Sequence, residues 1–401
     1  MKITVAGTGC GSGSLYTEKF KSAVKSADKV FTAVRDVKDL EKLRPGVEYM
    51  SVSDTLKYID EHIDENVNLC VCASGDTGFY SIAKTVAARV RSDAEVEFLP
   101  GIGSLSYFCA KIGMGYEKMK LVSLHGNEKS IVPFVCYNEY VFALTGGKVR
   151  VQDMADSLIG AGFGDELTLY AGENLSLDGE RIVTGTPGEI ASVEFSDLAV
   201  VIVHNPNYVN RYKTLRDSDF MRAKVPMTKE AVRTIVVSEL DVMPEDTVWD
   251  IGAGTGSVTC ALCYRACEST VYAIEKNPAA LELIEKNAAH TGARNMKVAC
   301  GTAPDDLTGF PAPDKVFIGG SSGRIDEIFD LVLNANPKAV ICATAVTLES
   351  LDAILRGFKD RGMEYTVKCV NVSSAEKLGP YHLMKAENPV YILKGNFADN
   401  E

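Results

Sequence analysis

The chain has one tryptophan and five histidines in 401 residues, and no apolar run near the ~20 residues that span a bilayer. It is therefore not expected to cross a membrane. Positive charge is also short: 42 Lys and Arg stand against 54 Asp and Glu, a formal net charge of −12. That balance argues against a general binder of nucleic acid or of anionic membrane surfaces. No signal-peptide pattern precedes the first strand, and no low-complexity tract or internal repeat interrupts the sequence. The 11 cysteines cannot all pair internally, being odd in number, and they sit in apolar segments such as Leu69-Cys70-Val71-Cys72. Reduced, buried thiols in a cytoplasmic protein are expected. What remains is an ordinary globular composition, 46% hydrophobic and 24% charged. At ~150 residues per domain the length calls for two or three domains.

The most informative stretch is Thr247 to Thr259, reading Thr-Val-Trp-Asp-Ile-Gly-Ala-Gly-Thr-Gly-Ser-Val-Thr. Thr247 to Ile251 read as a buried parallel strand. Gly252, Gly254 and Gly256 then form a loop without Cβ atoms, so backbone can approach a ligand closely. A helix follows from Val258 to Ala266, and a second strand, Thr270 to Ile274, ends in Glu275. The offset of 23 residues from Gly252 places that carboxylate at the tip of the neighbouring strand, in reach of both hydroxyls of a ribose. A dinucleotide fingerprint is G-x-G-x-x-G with pyrophosphate at the helix N-terminus. Here the run is G-x-G-x-G after Asp250, and a carboxylate beside the loop suits a cationic ligand better than pyrophosphate. S-adenosylmethionine, with a sulfonium, an ammonium, a ribose diol and no phosphate, fits better than NAD. The segment resembles the cofactor loop of the class I methyltransferases, which implies Gly252, Ala253, Gly254, Thr255, Gly256 and Glu275 as cofactor contacts.

The spacing from Met1 to about Gly113 predicts an alternating α/β pattern. Strands are expected at Lys2–Ala6, Lys29–Val34, Val67–Ala73 and Glu95–Leu99, and helices at Ser14–Ser26, Asp54–Glu65, Ser81–Arg91 and Ser104–Ile112. This is a doubly wound parallel sheet. From Lys120 to His204 strands prevail, with one helix at Val151–Ala161 and a turn at Asp178-Gly179. Asn205 to Lys224 is polar and aperiodic and reads as a linker. From 225 to 401 a helix, Thr228–Leu240, leads into the glycine loop, and strands at 297–300, 315–318 and 339–343 are each followed by a helix. Tyr365–Val372 and Pro389–Lys394 suit an antiparallel edge.

Three further loops stand at the carboxyl ends of the first, third and fourth strands, on the edge where open α/β sheets bind ligands. They are Gly7-Thr8-Gly9-Cys10-Gly11-Ser12-Gly13, Ser74-Gly75-Asp76 and Pro100-Gly101-Ile102-Gly103-Ser104. With Ser123-Leu124-His125-Gly126 and Gly172-Glu173-Asn174-Leu175-Ser176, they resemble the tetrapyrrole methylases, most of all the branch that methylates carbon 5 of the corrin precursor. The resemblance covers 1 to about 204 and implies a fold of two lobes, about 1–113 and 120–204. It places the cofactor between them, touched by Gly75, Asp76 and Ser104, with Gly9 and Gly11 facing the macrocycle. The sequence departs from that family at Thr77, where proline is usual, and at Gly103, where serine is usual. Glu173 and Asn174 suit either a cofactor contact or a turn.

From about 220 to 395 a second set of motifs resembles the decarboxylating carbon-15 methyltransferases: Pro226-Met227-Thr228-Lys229-Glu230, Trp249 to Gly256, Gly301-Thr302-Ala303-Pro304, Gly319-Gly320-Ser321-Ser322-Gly323 and Asn371-Val372-Ser373. The order of the halves is that of fused C5,15-methyltransferases acting on a precorrin. This likeness adds Thr228 and Ala303 as cofactor contacts. It implies a Rossmann-like second domain, two S-adenosylmethionine sites per chain, and a precorrin or cobalt-precorrin as substrate. No nucleic-acid or membrane partner is expected, and a homo-oligomer is. The loop at the end of the fourth strand of that domain offers Ser321, Ser322 and Arg324 as candidates for the decarboxylation.

Residues 211–233 carry seven basic side chains, Arg211, Lys213, Arg216, Arg222, Lys224, Lys229 and Arg233, against three acidic ones. Such runs are usually solvated faces, yet a precorrin is a polycarboxylate, and guanidinium matches carboxylate bidentately. Arg222 and Lys229 are the candidates for that role. Cys260, Cys263 and Cys267 invite a metal reading, but their offsets put them on one helix face with no fourth ligand at suitable spacing. They read as packing, and no metal is expected. His125 and His382 read as structural. Two rival functions remain. A base methyltransferase of RNA or DNA would carry an Asp/Asn-Pro-Pro-aromatic motif where Ile318 is followed by Gly319-Gly320-Ser321. A non-catalytic nucleotide sensor would use the basic run for an effector.

Overall fold

The computed structural model describes residues 1–33, 38–90, 95–124 and 129–397. The chain divides into two compact units: Met1–Glu128, Tyr140–Asp156 and Leu167–His204 form the first, and Lys129–Glu139, Ser157–Glu166 and Asn205–Glu401 the second.

The first unit holds two sheets. In the first sheet β1 (Lys2–Gly7), β2 (Lys29–Thr32), β3 (Glu48–Tyr49), β4 (Asn68–Ala73) and β5 (Glu95–Leu99) lie in the order β3-β2-β4-β1-β5, all parallel. Ile3, Val5 and Ala6 of β1, an interior strand, are fully buried, as the near-continuous apolar run of a two-sided parallel strand requires. The second sheet is mixed. It orders β6 (Lys120–Ser123), β7 (Tyr140–Leu144), β8 (Thr168–Glu173), β9 (Arg181–Gly185) and β10 (Ala199–His204) as β6-β7-β10-β8-β9, with only β6 and β7 parallel.

The second unit is a seven-stranded sheet plus a hairpin. Its strands are β11 (Val248–Ile251), β12 (Val271–Glu275), β13 (Met296–Cys300), β14 (Lys315–Ile318), β15 (Val340–Ala345), β16 (Glu364–Val370), the hairpin pair β17 (Ser373–Leu378) and β18 (Tyr381–Ala386), and β19 (Val390–Asn396). The sheet order β13-β12-β11-β14-β15-β19-β16 is parallel until β19, which runs antiparallel to both neighbours. The strand order also changes direction at β11, from β13-β12-β11 to β14-β15, which sets the carboxyl ends of β11 and β14 side by side, where open α/β sheets take ligands. A doubly wound parallel sheet joined to a mixed one, followed by a separate, mostly parallel sheet with an antiparallel edge, is the α/β architecture expected of the two domains.

Several element boundaries move. The helix expected over Ser14–Ser26 is a 3₁₀ turn, Gly13–Leu15, and a separate helix, Glu18–Ser26, started by Thr17, whose hydroxyl accepts from Phe20 N at 3.1 Å. Asp54–Glu65 becomes Val52–His62, again set by a serine cap, Ser51. Val34 and Arg91, the expected ends of a strand and a helix, and His125 and Gly126 lie outside the described residues. Only a 3₁₀ turn, Asp305–Leu307, follows β13, where a helix was expected. The helix Val132–Tyr137 was not foreseen because all six of its residues are buried, so it has no polar face to give a period.

The residues expected as a linker are not a free tether. Asn205–Lys224 belongs to the second unit, and Leu215 and Phe220 are buried there. The expected lobe 120–204 also gives up Lys129–Glu139 and Ser157–Glu166 to that unit. The buried amide of Asn295 shows why: its Oδ1 accepts from Tyr137 Oη at 2.7 Å, and Arg294 stacks on the Phe163 ring at 4.8 Å. Among the described residues no helix is long and apolar enough to cross a membrane.

Candidate active sites

In the first unit the loops after β1, β4 and β5 interlock through bare backbone. Gly9 and Gly75 exchange two hydrogen bonds of 3.0 Å, and Cys10 N donates to Ile102 O at 3.0 Å. A Cβ on Gly101 would stand 2.5 Å from Gly75 O and 2.7 Å from Gly7 O, so glycine is required there. Asp76 ties the loops together, accepting from Gly78 N at 2.8 Å and from Gly101 N at 3.0 Å. A cavity of about 270 Å³ opens beside them, lined by Gly9, Gly75, Asp76 and Ser104 on one side and by Thr145, Gly172 and Val200 on the other.

Of the expected contacts of this unit, Gly9, Gly75, Asp76 and Ser104 are brought together. Gly11 is not among the lining residues and faces the Leu177 side chain. Glu173 is buried and committed elsewhere, accepting from Arg181 Nε at 2.5 Å and Ser196 N at 2.6 Å. Asn174 adopts a left-handed φ of +49°, and both residues therefore build the turn. Glu180, held down to about 2 by Lys111, the Ser176 N–H and the Tyr107 hydroxyl, pins the same region. Cys10 lines the cavity with a thiol that burial pushes up to about 12.

In the second unit Gly252, Gly254 and Gly256 all have positive φ, +76°, +56° and +76°. A Cβ on Gly252 would meet the Gly320 backbone at 2.9 Å, so the loops after β11 and β14 touch through glycine. Glu275 sits at the end of β12. Its Oε2 accepts from Gly254 N at 2.9 Å and its Oε1 from Lys276 N and Asn277 N, both at 2.9 Å. Carboxylate oxygens have further lone pairs, so the group still has acceptor capacity toward the cleft.

Two cavities meet at this carboxylate. The larger, about 900 Å³, is lined by Val225–Lys229, Gly252–Thr255, Glu275, Thr344 and hairpin residues including Glu376 and Lys385. The smaller, about 280 Å³, is lined by Glu275, Lys276, Gly301–Ala303 and Gly320–Ser322. Thr228, Ala253, Gly254 and Thr255 thus line the larger cavity, Ala303 the smaller, and Gly252 and Glu275 both. Gly256 stands back from both, against Ile284.

Asp250 does not face the cleft. It is fully buried, its Oδ2 accepts from Thr259 Oγ1 at 2.5 Å, and its Oδ1 has no partner. Burial raises its pKa to about 7. The charge argument against pyrophosphate therefore fails for Asp250, and Glu275 is the carboxylate at the ligand-facing edge.

Ser321 and Ser322 line the smaller cavity, and Ser322, at φ +52°, accepts from Lys276 Nζ at 2.9 Å. Arg324 lines neither cavity. Its guanidinium is spent on Glu327, at 2.8 Å from Nε, and on Asp305, at 3.0 Å from Nη2. The basic run is largely structural. Arg211 meets Cys267 and Tyr212, Lys213 pairs with Asp219 at 3.6 Å, Arg216 pairs with Glu230, and Arg233 is buried beside Asp217. Of the two basic residues expected to contact the substrate, Lys229 lines the large cavity and Arg222 does not.

Cys260, Cys263 and Cys267 are all buried, and burial pushes the Cys260 thiol up to about 12. Cys263 Sγ contacts Asn295 O at 3.6 Å. Sequence reading missed Lys276, which borders both cavities, although it adjoins Glu275. It also missed the hairpin of β17 and β18, whose Gly379-Pro380 turn was the available signal.

Residues 2–191 match the tetrapyrrole (corrin/porphyrin) methylase family, and residues 219–395 match the precorrin methyltransferase domain. A cobalt-precorrin-6B C(15)-methyltransferase (decarboxylating) of Salmonella typhimurium is 35% identical over 183 residues, covering 45% of this chain and 94% of that protein. A precorrin-6Y C(5,15)-methyltransferase (decarboxylating) of Sinorhizobium is 28% identical over 363 residues, covering 88% of this chain and 86% of that protein. A solved precorrin-6Y C5,15-methyltransferase structure from Geobacter metallireducens is 36% identical, covers 46% of this chain and 96% of its own, and has a TM-score of 0.44. The chain belongs to the decarboxylating precorrin methyltransferase family, in the two-part layout of its C5,15 members.

Proposed function

We propose that the chain methylates a precorrin at carbons 5 and 15 and removes carbon dioxide from its ring C acetate, each half using S-adenosylmethionine at its own cleft. The observation that carries this reading is the presence of two glycine-built clefts on two unrelated sheets of one chain. The first half, like the tetrapyrrole methylases, serves carbon 5. The second, like the carbon-15 enzymes, serves carbon 15 and the decarboxylation.

The donor set fits the cofactor. Gly252 and Gly254 line the cleft with backbone, and Glu275 offers acceptors to a ribose diol. When bound, S-adenosylmethionine supplies a methyl group on a positively charged sulfur. A meso carbon of a conjugated tetrapyrrole is already electron-rich, so the work left to the protein is positional. Thr228, Ala253, Thr255, Glu275 and Ala303 hold the cofactor, and the cleft walls align the acceptor carbon and exclude water. Gly75, Asp76 and Ser104 do the same in the first half, with Gly9 toward the macrocycle. Lys229 offers a cation to the carboxylates of the substrate. Ser321 and Ser322 are the hydroxyls that would orient the acetate carboxylate; as carbon dioxide leaves, the pair of the broken carbon–carbon bond passes into the conjugated ring, and a proton from solvent then completes the methyl group left on ring C.

The test is incubation of the full chain with S-adenosylmethionine and with metal-free or cobalt-loaded precorrin, followed by mass analysis. A gain of two methyl groups with loss of one carbon dioxide is expected from one of the two substrates. A single methyl gain without decarboxylation on both would contradict the reading.

A further inference from the structure

The polar stretch before Val225 does more than connect. Two buried side chains bind its backbone, and each also binds a wall of the second-unit cleft. Arg233, 2% exposed, donates from Nη2 to Leu215 O at 2.9 Å and from Nη1 to Thr228 O at 2.8 Å. Asp217 Oδ1 stands 3.2 Å from Nη1 as a charge contact without hydrogen-bond alignment, and the Phe220 ring covers the guanidinium at 4.7 Å. Asn287, fully buried, accepts from Met221 N at 2.7 Å and donates to Met221 O at 3.0 Å and to Thr255 O at 2.8 Å.

Leu215 is thereby joined to Thr228, and Met221 to Thr255. Thr228 and Thr255 both line the large cavity. The two walls also meet directly, since a Cβ on Gly254 would lie 3.4 Å from Pro226 O, and Ser257 Oγ reaches Thr228 O at 3.5 Å. A buried guanidinium and a buried amide are each costly unless satisfied, so both are fixed in place by the carbonyls they serve.

We infer that residues 215–221 form a strap that sets the spacing of the two cleft walls, with Arg233 and Asn287 as its positioning residues. Neither touches the ligand, and both act through backbone carbonyls. Arg233 is thereby separated from the substrate-capturing role its place in the basic run suggested. The inference rests on the reading that S-adenosylmethionine occupies this cleft.

The test is calorimetric titration of the full chain with S-adenosylhomocysteine, following the binding component that Glu275→Ala removes. Arg233→Lys keeps the charge but cannot span two carbonyls, and Asn287→Ala cuts both links. Each is expected to weaken that component about tenfold or more, the scale of a small misplacement of binding groups. The control is Asn295→Ala. That buried amide holds the carbonyls of Cys263, Ala266 and Ser269 and none of the cleft loops, so it should lower the thermal midpoint and leave the affinity unchanged. Phe220→Leu, which only uncovers the guanidinium, should give a smaller loss of affinity and serves if a polar variant fails to fold. Unchanged affinity in the folded variants, or an equal loss in Asn295→Ala, overturns the strap. No binding by the unmodified chain overturns the assignment of the cleft, and the strap with it.

Discussion

Glycine frames both clefts, but the two units stabilise their glycine loops differently. In the first unit three loops press on one another through backbone: a Cβ on Gly7 would stand 2.6 Å from Gly75 O, and one on Gly101 2.5 Å from the same oxygen. One aspartate, Asp76, ties two of the loops together. In the second unit one glycine loop meets one other loop, and side chains do the remaining work: Glu275 from the neighbouring strand and Asn287 from a helix, while Asp250 ties the strand before the loop to Thr259 of the helix after it. The first cleft should therefore be fragile to a Cβ added at Gly7 or Gly101 and the second to loss of polar atoms.

Gly101→Ala is the sharpest way to break the first half of that comparison. The Cβ would stand 2.5 Å from a backbone oxygen that cannot swing away. Destabilisation of the first unit by about 1–3 kcal/mol or more is expected, the range of overpacking, with loss of cofactor binding there and retention in the second unit. Calorimetry and a thermal melt would report both. A variant with unchanged binding in the first unit would mean that its loops are not interlocked.

Asp250→Asn probes the second half through pH. The folded-state pKa of Asp250 is raised to about 7, so its burial costs nothing below the unfolded value near 4 and progressively more as pH rises toward 7. The amide has no such cost and its oxygen can still accept from Thr259. The stability advantage of Asp250→Asn over the parent should grow between pH 4 and 7, to the order of a few kcal/mol, and level off above. A difference in melting temperature independent of pH would contradict the buried placement of the carboxyl.

Tyr137→Phe tests a smaller effect, the contribution of a residue from the first half of the sequence to the second unit. It leaves Asn295 Oδ1 buried without its 2.7 Å donor. A loss of about 1–3 kcal/mol is expected in denaturant unfolding, as for other orphaned buried acceptors. An unchanged midpoint would favour cleavage of the chain near residue 204 into two self-sufficient pieces.

The features legible in the sequence were those governed by local rules. The glycine loops, Glu275 at the strand tip and the alternation of strands and helices follow from spacing, and the structure brings Gly252, Gly254 and Glu275 together at one cleft and Gly9, Gly75 and Asp76 at the other. What escaped depends on partners far along the chain. Asp250 read as a cleft carboxylate because its position beside Gly252 does not show that its side chain turns toward Thr259. The basic run read as exposed because nothing local reveals that Arg233 is buried under Phe220 or that Arg216 meets Glu230. The linker read as free because its ties are backbone groups bound by Arg233 and Asn287, and backbone partners leave no trace in residue type. The hairpin of β17 and β18 is exposed on both faces, so no buried stripe marked it.

The most direct test of two cofactor sites in one chain is the binding stoichiometry of S-adenosylhomocysteine on the full chain, measured alongside Glu275→Ala and Asp76→Ala. Two molecules per chain are expected for the parent. Glu275→Ala should remove only the second-unit site, weakening it by roughly 100-fold or more through loss of charge-assisted bonds to the ribose. Asp76→Ala should impair only the site in the first unit. One molecule per chain in the parent, lost entirely with Glu275, would show that only the second cleft takes the cofactor and would contradict the assignment of methyl transfer to both halves.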